Sequence, residues 1–381
     1  MLVYEFAGAG SEALTWLHAV GGSSRTVLEA VDRYAAASLA GVLGREPERA
    51  VSPEVAAALA AHARRRAAEL APADVPIIGV GCSATIATDR TKRGSHGVCL
   101  AVEGSLGRHE LALELNKGER DRDAEERLVS MLVVHAAASG CGVLHRREVD
   151  LLAGEEQREG FVPAPPLAEL LAGERGHVAL TPEGELCDGL PWPGTGVAIV
   201  SGSFNPLHDG HLGLAAAAQA HLGRRAAFEL APRNAEKPVI GELELYLRAT
   251  QFQGRAPLLL TGVALFSRKA ELYPGSVFVI GVDTAQRVVS PRFYTVDHDL
   301  DASLDAVREY GCSFLVAGRR AGSVPHLRAA VQSDEAFVTL ADVEVPERHA
   351  DLFEALPEEA FRADVSSSAL RERWEHEETA A

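Results

Sequence analysis

Short apolar runs alternate with helix-like stretches over the second half of the chain. The runs are four or five residues long and often β-branched, which is typical of strands buried on both faces of a sheet. They lie at 197–201, 226–230, 257–261, 277–281, 313–317 and 337–340. Helical stretches are found at 211–222, about 242–253, about 301–310 and 367–376. This alternation predicts a doubly wound parallel sheet, which binds ligands at the carboxyl ends of its strands.

The first part of the chain has a different pattern. A long helix is predicted at 52–71, because Ser52 is a good N-cap and Pro53 suits the first helical position. Strands are predicted at 75–81, 97–103 and 109–115. This part therefore also belongs to the α/β class, with an antiparallel component.

Pro, Gly and Glu cluster between these two parts, as linkers do. We therefore predict an N-terminal α/β domain at 1–145 and a linker at 146–195, with a small hairpin around His177 to Cys187. A Rossmann-like doubly wound domain with a parallel sheet is predicted at 196–377.

The acidic composition narrows the classes of partner. The 381 residues include 37 Lys and Arg against 54 Asp and Glu, a net charge of −17, so we expect no nucleic acid and no membrane as partner. The five cysteines show no C-x-x-C spacing, which favours a reducing, cytoplasmic compartment over a disulfide framework. The longest weakly polar run, 129–144, is too short to span a bilayer, and the first residues lack the basic cluster of a secretory signal.

One stretch, VAIVSGSFNPLHDGHLGLAAAAQ at 197–219, carries most of the candidate chemistry. Its helix start presents unpaired N–H groups to phosphates, and glycine permits close backbone approach. His208 and His211, three residues apart, can donate hydrogen bonds as negative charge builds on a leaving pyrophosphate. The stretch predicts a nucleoside triphosphate site. The binding residues expected before the histidines are Gly202, Ser203, Phe204 and Asn205.

A second stretch, VSSSALRER at 365–373, places three serines before a helical turn. Ser366 can cap that turn, while Ser367 and Ser368 can donate hydroxyls to phosphate oxygens. Arg371 shares a helix face with Ser367, since residues four apart are neighbours. The stretch is therefore a second candidate for phosphate binding.

Together the two stretches resemble a known family. SGSFNPLHDGH resembles the H-x-G-H nucleotidyltransferases, and its N-P-x-H-x-G-H form resembles the nicotinamide/nicotinate mononucleotide adenylyltransferases. VSSSALR is similar to that family's I-S-S-T-x-I-R signature, with Ser368 in place of Thr and Leu370 in place of Ile. The resemblance covers 196–377. It implies that the mononucleotide phosphate attacks the α-phosphorus of ATP, giving a dinucleotide and pyrophosphate in NAD biosynthesis.

The resemblance also implies residue roles. His208 and His211 stabilise the transition state, and Arg371 acts with them while it holds the β and γ phosphates beside Ser367 and Ser368. Further binding residues that it implies are Lys237, Gly281, Asp283 and Arg319. The expected substrates are ATP and a pyridine mononucleotide. Mg²⁺ is expected to be held mainly by the phosphates, with no metal ligands from side chains.

The first domain resembles another family. GGSSRTVLEAVDRYAAASL at 21–39 and AVSPEVAAALA at 50–60 are similar to the competence-damage (CinA) C-terminal domain, a family that includes nicotinamide mononucleotide deamidases. Those deamidases use a Ser nucleophile and a Lys base, but Ala7 and Leu39 occupy the matching positions here. We therefore predict a degenerate CinA-like domain without deamidase activity, which binds a nucleotide, regulates, or forms a homo-oligomer.

Three alternatives remain at this stage. The same fold could use another phosphorylated acceptor. The first domain could be a nicotinamide-nucleotide hydrolase regulated by the second. Both domains could act only as a nucleotide sensor, although a sensor has no need of His208, His211 and Arg371. The preference between nicotinate and nicotinamide mononucleotide is open.

Overall fold

The chain forms two units, each built on its own sheet. The computed structural model describes residues 1–89, 94–144, 149–192, 196–232, 239–294, 299–320, 337–362 and 367–380. The first unit comprises Met1–Ala168, Pro182–Leu186 and Gly241–Arg255. The second comprises Glu169–Thr181, Cys187–Ile240 and Ala256–Ala381. The predicted two-domain α/β architecture is confirmed.

The first unit holds a six-stranded mixed sheet. Its strands are β1 (Leu2–Ala7), β2 (Val27–Asp32), β3 (Ile78–Thr85), β4 (His96–Glu103), β5 (Gly107–Leu115) and β6 (Gln157–Pro163). Its first four helices are α1 (Ser11–Ala19), α2 (Ala36–Leu43), α3 (Pro53–Leu70) and α4 (Arg122–Gly140). The strand order is β2-β1-β3-β4-β5-β6, parallel across β2, β1 and β3 and antiparallel beyond. The expected antiparallel component is present.

Strand β3 shows how this sequence packs two helix layers on one sheet. Val80 and Cys82 face a core that includes residues of α4. Gly81 faces α3, and a Cβ there would lie 2.2 Å from the carbonyl oxygen of Ala56. The predicted N-cap of α3 is confirmed, because Ser52 Oγ accepts a hydrogen bond from the Val55 N–H at 3.3 Å.

The second unit holds an eight-stranded sheet. Its strands are β7 (His177–Leu180), β8 (Leu186–Cys187), β9 (Ala198–Ser201), β10 (Ala226–Leu230), β11 (Leu258–Thr261), β12 (Val277–Gly281), β13 (Ser313–Ala317) and β16 (Phe353–Leu356). A separate two-stranded ribbon pairs β14 (Arg319–Arg320) with β15 (Phe337–Val338). The remaining helices of the chain are α5 (Pro165–Ala172), α6 (Asp209–Leu222), α7 (Glu242–Thr250), α8 (Phe266–Leu272), α9 (Val282–Val288), α10 (Leu300–Glu309) and α11 (Ser367–Ala380).

The order of the large sheet creates a topological switch point. It runs β16-β13-β12-β9-β10-β11-β7-β8, and the six strands from β16 to β11 are mutually parallel. From β9 the chain builds outward through β10 and β11, then returns to start β12 on the other side of β9. Ligands of such sheets bind where the order reverses, at the carboxyl ends. Here that place lies between β9 and β12.

Three predictions about organisation were wrong. The segment 146–195 is not a plain linker, because β6 pairs with β5 in the first sheet and β7 pairs with β11 in the second. The predicted small hairpin is present as β7 and β8. The run at 337–340 supplies β15 of the ribbon, whereas the sixth parallel strand is β16, which the sequence did not indicate.

Helix α7 is the third departure. It lies in the sequence between β10 and β11, as the alternating pattern predicts, but it belongs to the first unit. Tyr246 of α7 is buried there and stacks on Phe161 of β6 with ring centroids 4.6 Å apart. Burial of this aromatic face decides where the helix packs, which the order of elements alone does not reveal.

Candidate functional site

The turn after β9 is tightly built around a phenylalanine. Phe204 has a φ of 45°, and its side chain is buried against Phe228 of β10. A Cβ at Gly202 would lie 2.7 Å from two atoms of the Phe204 ring, so this position favours glycine. The Gly202 N–H donates to the carbonyl oxygen of Glu229 at 3.1 Å, which ties the turn to the end of β10. The Phe204 side chain therefore packs in the core and supports the turn. Only the backbone of this residue can contact a ligand.

The two predicted histidines stack at the start of α6. His208 is the N-cap residue, and its ring lies 3.8 Å from the His211 ring at an interplanar angle of 24°. The backbone N–H of His208 donates to His211 Nδ1 at 3.3 Å. Because Nδ1 accepts, the neutral His211 ring carries its proton on Nε2. Phe204 meets the same ring edge to face at 5.0 Å and fixes its plane.

Both imidazoles are neutral at pH 7. Burial, together with the smaller effects of His208 and Arg319, lowers the pKa of His211 to about 3. Burial also lowers the pKa of His208, with Arg319 adding to the effect and Asp209 opposing it. Nδ1 of His208 is buried and has no hydrogen-bond partner among the described residues. The pair can therefore donate hydrogen bonds to an anion without carrying a positive charge.

Two neighbouring strands bring three more predicted residues together. Gly281 ends β12 and is the N-cap of α9. Asp283 folds back over it, since a Cβ at Gly281 would lie 2.6 Å from Asp283 Oδ1. Arg319, just after β13, forms an ion pair with Asp283 at 3.5 Å. The positive charge of Arg319 lowers the pKa of both histidines.

Residues of the VSSSALRER stretch contact the loop that precedes the two histidines. Ser367 Oγ donates to the carbonyl oxygen of Pro206 at 2.9 Å, and Arg371 Nη1 donates to the carbonyl oxygen of Asn205. The Asn205–Pro206 peptide bond is cis. In this structure the two side chains therefore brace the loop, and their role on phosphates stays a prediction.

Some predicted residues lie outside the described part of the chain. These are Lys237 and Ser366, and the side chain of Ser368. Ser203 lies in the turn after β9 and is half-buried.

A buried charge beside the turn was not among the predicted site residues. Glu229 of β10 is 1% exposed and binds Lys269 of α8, with Nζ 2.8 Å from Oε2. The signal was visible, because AAFEL at 226–230 sets one Glu in a run predicted to be buried on both faces. A buried carboxylate needs a partner, so this Glu predicts a cation or a hydrogen-bond donor buried beside it.

Helix α1 of the first unit also begins after a strand and a turn that contains glycine. There, however, a carboxylate of the protein itself accepts hydrogen bonds from the first N–H groups of the helix. After β1 the chain passes through Gly8 and Gly10 into the helix. Glu126 Oε1 of α4 accepts from the Gly10 N–H at 3.0 Å, the Glu12 N–H at 3.2 Å and the Ser11 hydroxyl at 2.9 Å. An acidic side chain thus occupies the place that an anionic ligand would take.

One cleft in the second unit lies away from the histidines. It has a volume of about 790 Å³ and is lined by residues that include Trp192, Gln219 and Arg224, together with Ala226 at the amino end of β10. The histidines follow the carboxyl end of β9 instead, so this cleft is not part of the candidate site.

The described residues contain no group of three or more His, Cys, Asp or Glu arranged to hold a metal ion. None of the described helices combines the length and the apolar character that crossing a bilayer requires.

Comparison with known proteins gives a result for one part of the chain. No protein-family model matches the sequence, and no curated protein matches it. A solved structure of a competence or damage-inducible protein from Enterobacter asburiae matches 36% of this chain and 87% of its own, with 19% identity and a TM-score of 0.29.

Two further solved structures have the same coverage of this chain. A competence-damaged protein (CinA) superfamily protein from Enterobacter cloacae matches 36% of this chain and 79% of its own, with 18% identity and a TM-score of 0.28. A competence/damage inducible protein from Agrobacterium tumefaciens matches 36% of this chain and 81% of its own, with 20% identity and a TM-score of 0.28. The matched part is about the first 36% of the chain, and TM-scores of this size carry no argument about activity.

Proposed function

We propose that the second unit transfers an adenylyl group from ATP to the phosphate of a pyridine mononucleotide, giving a dinucleotide and pyrophosphate. One observation carries this proposal. The ends of β9, β12 and β13, three adjacent parallel strands, bring His208 and His211 to the switch point together with Asp283 and Arg319. These residues are far apart in sequence, and the H-x-G-H resemblance alone had proposed them as one site.

The reaction needs positioning and charge stabilisation more than covalent chemistry. The mononucleotide phosphate oxygen attacks the α-phosphorus of ATP, and the bond to the bridging oxygen of pyrophosphate breaks. The Nε2–H of His211 donates to the oxygen on which charge develops, and the start of α6 adds its partial positive charge. Arg319 supplies the full positive charge that the neutral imidazoles lack.

Mg²⁺ fits this site as an ion carried by the triphosphate. The described residues offer no set of three ligands, and Asp283 is already paired with Arg319. Magnesium commonly keeps most of its contacts to phosphates and water, where it neutralises charge on the triphosphate. Asp283 and the turn after β9 would then orient the nucleotide around it.

We propose further that the first unit is not a Ser–Lys deamidase. Ala7, at the end of β1, has no hydroxyl, and Leu39 is a buried apolar residue of α2. Glu126 also fills the start of α1 with negative charge. A negatively charged mononucleotide would meet repulsion there.

One incubation tests both proposals. The protein is mixed with ATP, Mg²⁺ and each pyridine mononucleotide separately, and dinucleotide, pyrophosphate and ammonia are followed together. We expect dinucleotide and pyrophosphate in equal amounts, with no ammonia.

The other outcomes separate the alternatives. Ammonia without dinucleotide would move the active site to the first unit. Pyrophosphate release only with another phosphorylated compound would keep the fold and change the acceptor. No turnover with any acceptor, together with tight ATP binding, would favour a nucleotide sensor.

A further inference from the structure

The buried pair of Glu229 and Lys269 leaves half of a carboxylate without a partner. Lys269 Nζ contacts Oε2 at 2.8 Å, and both side chains are buried. Oε1 of Glu229 accepts no hydrogen bond from any residue in the described part of the chain. A buried acceptor without a donor costs free energy, so this atom needs a donor from outside the described residues.

A second unpartnered atom lies on the neighbouring strand. The hydroxyl of Ser201, the last residue of β9, is also buried and lacks a partner within the described ranges. Ser201 and Glu229 are directly paired in the parallel register of β9 and β10. Paired residues on adjacent strands are about 5 Å apart, so one small polar group can reach both side chains.

This pair adjoins the proposed reaction site. Gly202, which follows Ser201, begins the turn that carries His208 and His211, and its N–H is held by the carbonyl oxygen of Glu229. The two unpartnered atoms therefore lie at the carboxyl end of the sheet, on the β10 side of the switch point.

The hydrogen-bonding pattern selects the group that fits. A carboxylate oxygen can only accept, whereas a serine hydroxyl can donate. A primary amide matches both, because its NH₂ donates to Glu229 and its oxygen accepts from Ser201. A carboxylate ligand has no hydrogen to donate and would repel Glu229. Lys269 occupies the other oxygen, which leaves Oε1 as the acceptor.

We propose that Ser201 and Glu229 recognise the primary amide of the acceptor, so that the protein prefers the amide mononucleotide to the acid. This inference rests on the proposed adenylyl transfer and names its substrate. Sites that bind a polar group through buried partners reject analogues that leave those partners unpaired.

Kinetics with the two mononucleotides test the inference. For the wild-type protein we expect kcat/KM to be at least about tenfold higher with the amide than with the acid. Ser201→Ala should lower kcat/KM for the amide by about tenfold and change the value for the acid by less than about threefold. Glu229→Gln should lower the value for the amide by about tenfold and raise the value for the acid, because the repulsion is gone and a glutamine side chain can donate to a carboxylate. Glu354→Gln, on the exposed side of β16, is the matched control and should behave as wild type.

Each possible result of these measurements leads to a different conclusion. Equal rates with both substrates, a preference for the acid, or parallel losses in Ser201→Ala would overturn the amide site while leaving adenylyl transfer intact. If neither mononucleotide gives dinucleotide, adenylyl transfer fails, and calorimetric binding of each mononucleotide still decides between amide and acid. Glu229→Gln disturbs a buried ion pair, so its melting temperature is measured as well. Ser201→Ala keeps that pair and decides the matter if Glu229→Gln does not fold.

Discussion

The starts of α1 and α6 can be compared directly, because each follows a strand with parallel neighbours on both sides and a turn that contains glycine. At α1, the carboxylate of Glu126 accepts hydrogen bonds from the first N–H groups. At α6, no carboxylate of the described residues accepts a hydrogen bond from residues 208–211, and two neutral imidazoles are stacked there. The first arrangement completes the helix from within the protein. The second leaves a positive helix end and N–H donors for an outside anion.

This difference distinguishes a helix start that contributes to stability from one that is available to bind a ligand. Both ends are made of the same backbone, so the side chains nearby decide whether a helix start is structural or available. In the first unit, a residue more than a hundred positions away supplies the negative charge. In the second, burial keeps the histidines neutral, which avoids placing two positive charges in contact.

The largest effect is expected from His211→Ala. Removing the Nε2–H donor at the start of α6 should lower kcat for dinucleotide formation by about 10² to 10³-fold, the usual loss for one transition-state donor. His221→Ala, on the same helix, is the control and should retain wild-type kcat. A His211→Ala protein within about threefold of wild type would end the assignment of this site.

Glu126→Ala should affect the other helix start and leave catalysis alone. It removes the acceptor of two backbone N–H groups and two hydroxyls, and we expect the first unit to lose about 2 to 3 kcal/mol of unfolding free energy. Chemical denaturation and hydrogen exchange of α1 measure this loss. Glu126→Gln, which retains an oxygen acceptor, should lose less. A fall in kcat for dinucleotide formation would contradict the separation of roles.

The low pKa of His211 predicts a difference in acid stability. The folded pKa of about 3 lies below the ordinary value of 6.5, so the unfolded chain takes up a proton first as the pH falls. The wild type should therefore lose about 2 kcal/mol more unfolding free energy than His211→Asn between pH 6.5 and 4.5. Denaturation curves of both proteins at the two pH values measure it. Equal losses would show that His211 is not held neutral.

The smallest effect is expected from Gly202→Ala. The new Cβ would lie 2.7 Å from the Phe204 ring, which must move and shift the ring plane of His211. We expect kcat/KM to fall by about tenfold, since small displacements weaken a positioned donor. Gly223→Ala, at the C-cap of α6, gives the new Cβ no neighbour but strains the backbone at a φ of 62°, so it measures the effect of destabilising the helix alone. Equal loss in both variants would point to helix destabilisation instead.

The sequence predicted best what is encoded in short apolar runs. The strands at 226–230, 277–281 and 313–317 were predicted to the residue, because burial on both faces leaves few polar positions inside them. Strand β16 was not predicted, because it lies at the sheet edge. Glu354 is exposed there, so the run is not continuously apolar.

The site was predictable only in part, because some of its contacts join residues that are distant in sequence. The spacing of His208 and His211 is local, so the sequence placed both at a helix start. The contacts of Arg371 with Asn205, and of Lys269 with Glu229, join residues that are distant in sequence. Only the fold reveals such contacts.

The route of the chain has a consequence for how this protein can be divided. The chain passes between the two units five times, and residues 241–255 leave the second unit after β10 and return before β11. Neither unit is a continuous stretch of polypeptide. A truncation between residues 145 and 196 would therefore separate α7 from the rest of the first unit. The C-terminal fragment would carry this helix without the residues of the first unit against which it packs. We therefore expect the two units to fold only when they are expressed as one chain.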